Sequence, residues 1–102
     1  MFGRVSTYEL PQGRATEAVQ SFHEAIASIE ELPGLRDAYL LLSEDDCQAL
    51  TVTLWETHDA MAASRVRATR VRSEAAAAVG SNILSTVEYR VAIHSIGAEA
   101  IA

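Results

Sequence analysis

Apolar and polar residues alternate, or recur at every third and fourth place, in successive blocks along this chain. The clearest block is Leu50-Thr51-Val52-Thr53-Leu54-Trp55, with Leu50, Val52 and Leu54 on one face and Thr51, Thr53 and Trp55 on the other. That two-residue period predicts a strand. Phe2 to Leu10 alternates in the same way, Arg4, Ser6 and Tyr8 opposing Val5 and Thr7, and breaks at Pro11-Gln12-Gly13. From Arg14 to Leu32 the apolar positions are Ala15, Ala18, Val19, Phe22, Ala25, Ile26, Ile29 and Leu32. This is the spacing of an amphipathic helix with one buried stripe, and Pro33-Gly34 stops it. Leu35 to Ser43, rich in Tyr and Leu between turn residues, reads as a second strand. The polar turn Glu44-Asp45-Asp46 leads in hairpin fashion into the third, from about Cys47. A second helix is predicted from His58 to Val79, with Thr57 able to cap it and Asp59 complementing its dipole. Its stripe is Met61, Ser64, Ala68, Val71, Ala75, Ala78 and Val79, small enough to lie close to a sheet. Gly80-Ser81-Asn82 ends it. Ile83 to Ala92 forms a fourth strand, with Val87, Tyr89 and Val91 opposite Thr86, Glu88 and Arg90.

The order β-α-β-β-α-β predicts a ferredoxin-like α+β domain, a four-stranded antiparallel sheet with two helices on one face. The domain is expected over residues 1–94, with 95–102 a loosely held tail. Two helices cover one face only, which leaves Val5, Leu50, Val52 and Leu54 on the other. Burying such a patch is favoured by roughly 25 cal/mol per Å². The simplest closure is a second copy, sheet against sheet with two-fold symmetry, so a homodimer is expected.

Composition narrows the functional classes. At 102 residues the chain is long enough for one core and not for two. A net charge of −6, with arginine as the only basic residue besides histidine, argues against a nucleic-acid or anionic-membrane surface. Cys47 is the sole cysteine, and neither it nor the scattered His23, His58 and His94 has the spacing of a metal site. No apolar run approaches the roughly 18 residues of a membrane span. Met1 leads into a strand-like segment without the basic and apolar regions of a signal peptide, so a cytoplasmic location is expected.

Four stretches carry a likeness: Gly3-Arg4-Val5-Ser6-Thr7-Tyr8-Glu9, Glu31-Leu32-Pro33-Gly34-Leu35, Leu54-Trp55-Glu56-Thr57 and Val87-Glu88-Tyr89-Arg90-Val91. Through them, over residues 2–92, the chain resembles the antibiotic biosynthesis monooxygenase domain family of the dimeric α/β-barrel superfamily. The resemblance implies a homodimer whose sheets pack face to face, with a pocket between sheet and helices in each protomer. Some members oxidise aromatic polyketide intermediates with dioxygen and no cofactor. A related branch degrades haem with a first-strand asparagine, the tryptophan after strand three, and a histidine further along helix two. Here Trp55 fits, but Ser6 and Arg65 stand in the other two places. Two of the three parts are missing, so haem degradation ranks low among the activities the resemblance implies, and no cofactor is expected.

Candidate chemistry gathers around the tryptophan. Trp55 offers a flat apolar wall and one N–H donor to an aromatic ligand, or it fills the core beneath the second helix. Arg4 shares a face with Ser6 and Tyr8. Beneath the helices it needs a cavity or a partner such as Glu88, whereas at a sheet end it reaches solvent. Tyr8 can donate to a ligand oxygen or to an internal partner. Arg65 and Arg72 edge the second helix's stripe, placed either to hold an enolate or phenolate over a pocket rim or to snorkel toward surface carboxylates. Arg67 and Arg70 lie toward solvent. His58, where the helix dipole disfavours its protonated form, is the candidate general base or simply an exposed first-turn residue. The expected function is a cofactor-independent monooxygenase acting on an aromatic or quinol-type small molecule. His58, Tyr8 and Trp55 are its candidate catalytic groups, and Trp55, Arg4, Ser6, Arg65 and Arg72 its substrate contacts. A cavity of a few hundred Å³ is expected beside Trp55. The alternative is a non-catalytic dimeric barrel that binds a hydrophobic metabolite, with a haem-degrading oxygenase a distant third.

Overall fold

Each periodic block becomes one element in the computed structural model, which describes residues 1–98. They are β1 (Phe2–Glu9), α1 (Ala15–Ile29), β2 (Leu35–Leu42), β3 (Gln48–Trp55), α2 (His58–Ala78) and β4 (Asn82–Arg90). The strands pair antiparallel in the order β2-β3-β1-β4, so β1 and β3 are central. This is the predicted ferredoxin-like α+β arrangement.

Register decides what faces the helices. Phe2 pairs with Trp55 and Arg90, Arg4 with Thr53 and Glu88, and Ser6 with Thr51 and Thr86. Paired residues share a face, so the inner face carries an arginine, a glutamate and a run of hydroxyls in adjacent rows. A register shift after Thr7 brings Tyr8 opposite Ile83. Tyr8 is completely buried and packs on Phe22 of α1 with ring centroids 4.8 Å apart. Around this pair cluster Leu10, Ala18, Ala49, Ala75, Ala76 and Val79. The small residues of α2 allow its close approach.

The opposite face is the apolar one. Val5, Leu50, Val52 and Leu54 are half-buried by their neighbours, while Tyr39, Leu41, Val87 and Tyr89 around them are exposed.

The helix ends obey local chemistry. Thr57 caps α2, its hydroxyl accepting from the Ala60 N–H at 3.0 Å. At the other end Gly80, at φ 66, takes the left-handed position; its N–H bonds Ala77 and that of Ser81 bonds Ala76, satisfying two terminal carbonyls. This wrap turns Ala76 inward (2% exposed) and leaves Ala78, predicted on the stripe, exposed. Helix α1 stops at Ile29 rather than Leu32, because the residue before a proline is disfavoured in the helical region. Val19, predicted on α1's stripe, is 44% exposed at its edge. Strand β4 runs over 82–90 rather than 83–92. Of the predicted tail, residues 99–102 lie outside the described residues. Among those described, no helix is long and apolar enough to cross a membrane.

Candidate functional site

Alternation on β1 sends Arg4 beneath α2, where it is 4% exposed. A guanidinium so placed must spend its donors on fixed partners. Its Nε and Nη2 donate to Glu88 Oε2 at 3.1 and 2.8 Å, Nη1 donates to Ser64 Oγ at 3.2 Å, and Nη2 also reaches the Met61 carbonyl at 3.0 Å. From the solvent side Arg65 grips the same carboxylate, Nη2 to Oε1 at 2.7 Å and Nε to both oxygens at 3.1 Å. The Arg65 bonds first, and then Arg4, hold the Glu88 pKa down at about 2 against the opposing effect of burial. One carboxylate thus joins β1, β4 and α2.

The Arg4 guanidinium also lies over the Trp55 ring, 5.9 Å from its centroid. Trp55 is fully buried, and its indole N–H donates to Thr53 Oγ1 at 3.0 Å. The inner face also opens into a cavity between the sheet and both helices, lined by Arg4 and Thr53 but not by Trp55. Its floor is Arg4, Ser6, Tyr8, Thr51 and Thr53; its walls are Phe22, Ala25, Ile26 and Ile29 of α1 and Ala68, Val71 and Arg72 of α2. The cavity volume is about 40 Å³. This is smaller than the few hundred Å³ expected from the sequence, because α1 packs down on the sheet through Phe22 and Ile29.

The floor is polar and internally paired. Tyr8 Oη lies 2.8 Å from Thr51 Oγ1, and Ser6 Oγ lies 3.0 Å from Thr86 Oγ1. Burial raises the Tyr8 pKa, partly offset by bonds to Thr51 and Ser6 and by the charge of Arg72. The phenol therefore stays protonated and acts as a donor. Burial also lowers the Arg72 pKa, and repulsion from Arg4 adds to this while Tyr8 and Glu88 oppose it. Arg72's side-chain partner is Thr69 Oγ1 on its own helix, at 3.2 Å. Among the described residues no carboxylate lies within ion-pair distance of it.

The structure thus brings Arg4, Ser6, Tyr8 and Arg72 together around one space. Trp55 stands just outside the lining, with the Arg4 guanidinium over its ring, and Arg65 is turned to Glu88 at the surface. His58 is exposed at the start of α2, edge-on to Phe2 at 5.4 Å and away from the cavity. Thr51 and Thr53 were visible in sequence on the tryptophan's face but were not singled out as ligand contacts. Their signal was the register that sets them beside Ser6 and Arg4. Among the described residues no group of three histidine, cysteine or acidic side chains converges as a metal site would require.

Residues 1–75 match the family model described as antibiotic biosynthesis monooxygenase. Among solved structures the chain is similar to SnoaB, a cofactor-independent oxygenase from Streptomyces nogalater, with a TM-score of 0.75 and 19% identity over 91% of this chain and 94% of that one. It is similar to a Deinococcus radiodurans protein bearing the same family name, with a TM-score of 0.73 and 19% identity over 95% and 100% of the two chains. An arginine-to-serine variant of MhuD with two manganese protoporphyrin IX molecules bound per active site gives a TM-score of 0.68 and 22% identity, again over 95% and 100%. At these identities the likeness is one of fold. No curated protein matches the chain in sequence.

Proposed function

The chain belongs to the antibiotic biosynthesis monooxygenase family, and on that premise we propose that it oxygenates an aromatic or quinol-type small molecule without a cofactor. The observation that supports this reading is the cavity itself, apolar on its helix walls and lined on its floor by hydroxyls and guanidinium groups. An activated ring CH₂ would react as CH₂ + O₂ → C=O + H₂O, the substrate carbon supplying all the electrons. The protein's task is to favour loss of the first proton and to hold the resulting anion in a water-poor space.

The residues divide that task. Phe22, Ile26 and Ile29 contact the ring, while the Tyr8–Thr51 pair and Ser6 each donate one proton to the developing oxyanion. Arg72 supplies the compensating charge. Arg4 is a positioning residue, since its donors are engaged with Glu88, Ser64 and Met61. Among the described residues neither imidazole nor carboxylate lines the cavity, so in this scheme the proton leaves to solvent from a substrate acidified by these donors. His58 has no part in this scheme. We propose further that the apolar sheet face around Val5, Leu50, Val52 and Leu54 packs on a second copy.

Haem does not suit the lining. No imidazole or thiolate points into the space, and the one phenol is held protonated by burial and by its bond to Thr51. The lack of a base favours a second reading, in which the cavity binds an aromatic metabolite without turnover. Oxygen-electrode assays with an anthrone separate the two. The oxygenase reading expects uptake that falls at least about tenfold in Tyr8→Phe and Arg72→Met. Ligand binding with no uptake above the spontaneous rate leaves only the binding reading.

A further inference from the structure

We infer that the cavity takes its aromatic ligand as an oxyanion, a phenolate or a carboxylate, whose charge is met by Arg72. This rests on the proposed ligand site and specifies what enters it.

The argument starts from local charge. Although the chain carries −6 overall, two arginines, Arg4 and Arg72, line the cavity, and Glu88, the carboxylate that pairs with Arg4, is shared with Arg65 at the surface. Arg4 and Arg65 share that carboxylate, so Arg72 is left as an uncompensated cation in the cavity wall. Among the described residues only one of its five N–H groups has a side-chain acceptor, and that acceptor is a neutral hydroxyl on its own helix. A neutral ring seated against it would strip water from the guanidinium and give no charge in return. A cationic ligand would be repelled. An anion alone repays the desolvation that already acts on this side chain.

The hydroxyl floor has the same preference. Tyr8 with Thr51, and Ser6 with Thr86, form two hydroxyl pairs. Each pair owns two protons and uses one internally, which leaves one proton per pair to donate outward. Two outward donors and a guanidinium suit a ligand oxygen that only accepts. The apolar walls suit the ring behind it.

The test uses 4-nitrophenol, whose phenolate is yellow, titrated spectrophotometrically with and without the protein. If the phenolate binds about tenfold tighter than the phenol, the bound dye's apparent pKa falls by about one pH unit. Arg72→Met should abolish that fall while Arg72→Lys, which keeps the charge, retains most of it; circular dichroism confirms that both variants fold. Competition by benzoate but not benzamide extends the site to carboxylates, and failure of benzoate with the dye shift intact restricts it to phenolates. An unshifted or raised dye pKa, a shift that survives Arg72→Met, or no dye binding would overturn the inference. Oxygen uptake is not read in this experiment. Anion preference without turnover therefore removes only the oxygenase reading, and turnover without anion preference removes only this one.

Discussion

Replacing Glu88 with glutamine tests how the inner face is held together. The substitution keeps the shape and removes the charge that Arg4, 5% exposed at its side chain, depends on. The size of the effect follows from the carboxyl group. Its pKa is about 2 in the folded chain against an ordinary 4.5, and each unit is worth about 1.36 kcal/mol, which gives about 3 kcal/mol. Part of that comes from Arg65, whose side chain is 50% exposed and therefore screened, so about 2 kcal/mol is the working figure. The sign is fixed by linkage. A carboxyl with a depressed folded pKa contributes its full stability above the unfolded value near 4.5, and loses it as pH falls toward 2. Urea unfolding of wild type and Glu88→Gln at pH 6 and pH 3 is the assay. The gap between them should be about 2 kcal/mol or more at pH 6, and should shrink by about half or more at pH 3. Arg65→Gln, which breaks only the outer, solvent-screened grip, should cost less than Glu88→Gln at pH 6. A gap of equal size at both pH values would refute the reasoning, since it would show that the carboxylate's charge is not what binds β1 and β4 to α2.

Two further substitutions probe the frame. Val52→Asp places a charge in the middle of the apolar sheet face and should convert the proposed dimer to monomer in sedimentation velocity without loss of secondary structure; a wild type that sediments as a monomer at micromolar concentration would end the dimer proposal. Gly34→Ala should lower stability by more than about 1 kcal/mol in thermal unfolding, because φ there is +83° and a Cβ would stand 2.5 Å from that of Ala60.

Much of this fold was legible because each element carries its own period and its own stop. The polar face of β3 and the Arg4-Ser6-Tyr8 face of β1 could be assigned to the same side, and Glu88 named as a possible partner for Arg4, before any register was known. What alternation could not say is which of two large inward aromatics, Trp55 or Tyr8, would border empty space. That depends on side chains from the neighbouring strand: Arg4 lies over the indole, and it is Arg4 and Tyr8, not Trp55, that line the cavity. The roles of Arg65 and Arg72 were equally undivided on a helical wheel. They part company only because β4 presents Glu88 within reach of one of them. His58 sits beside the tryptophan in sequence, yet the turn at Glu56-Thr57 carries it outward into water.

The fastening of α1 has a consequence for what the protein can admit. Its polar ties, Ser21 to the Ala75 carbonyl and Arg67 to the Ser28 carbonyl, run to α2, and Arg67 also holds Glu31 just beyond the end of α1. Among the described residues no side-chain hydrogen bond nails α1 to the strands beneath. Seating a guest larger than the cavity would therefore slide hydrocarbon off hydrocarbon and break no side-chain hydrogen bond to the sheet, and the guest's own ring would refill the contacts that Phe22 and Ile29 give up. Breathing of that kind exchanges like surface for like, so the chamber's resting size is no measure of the molecule it can hold.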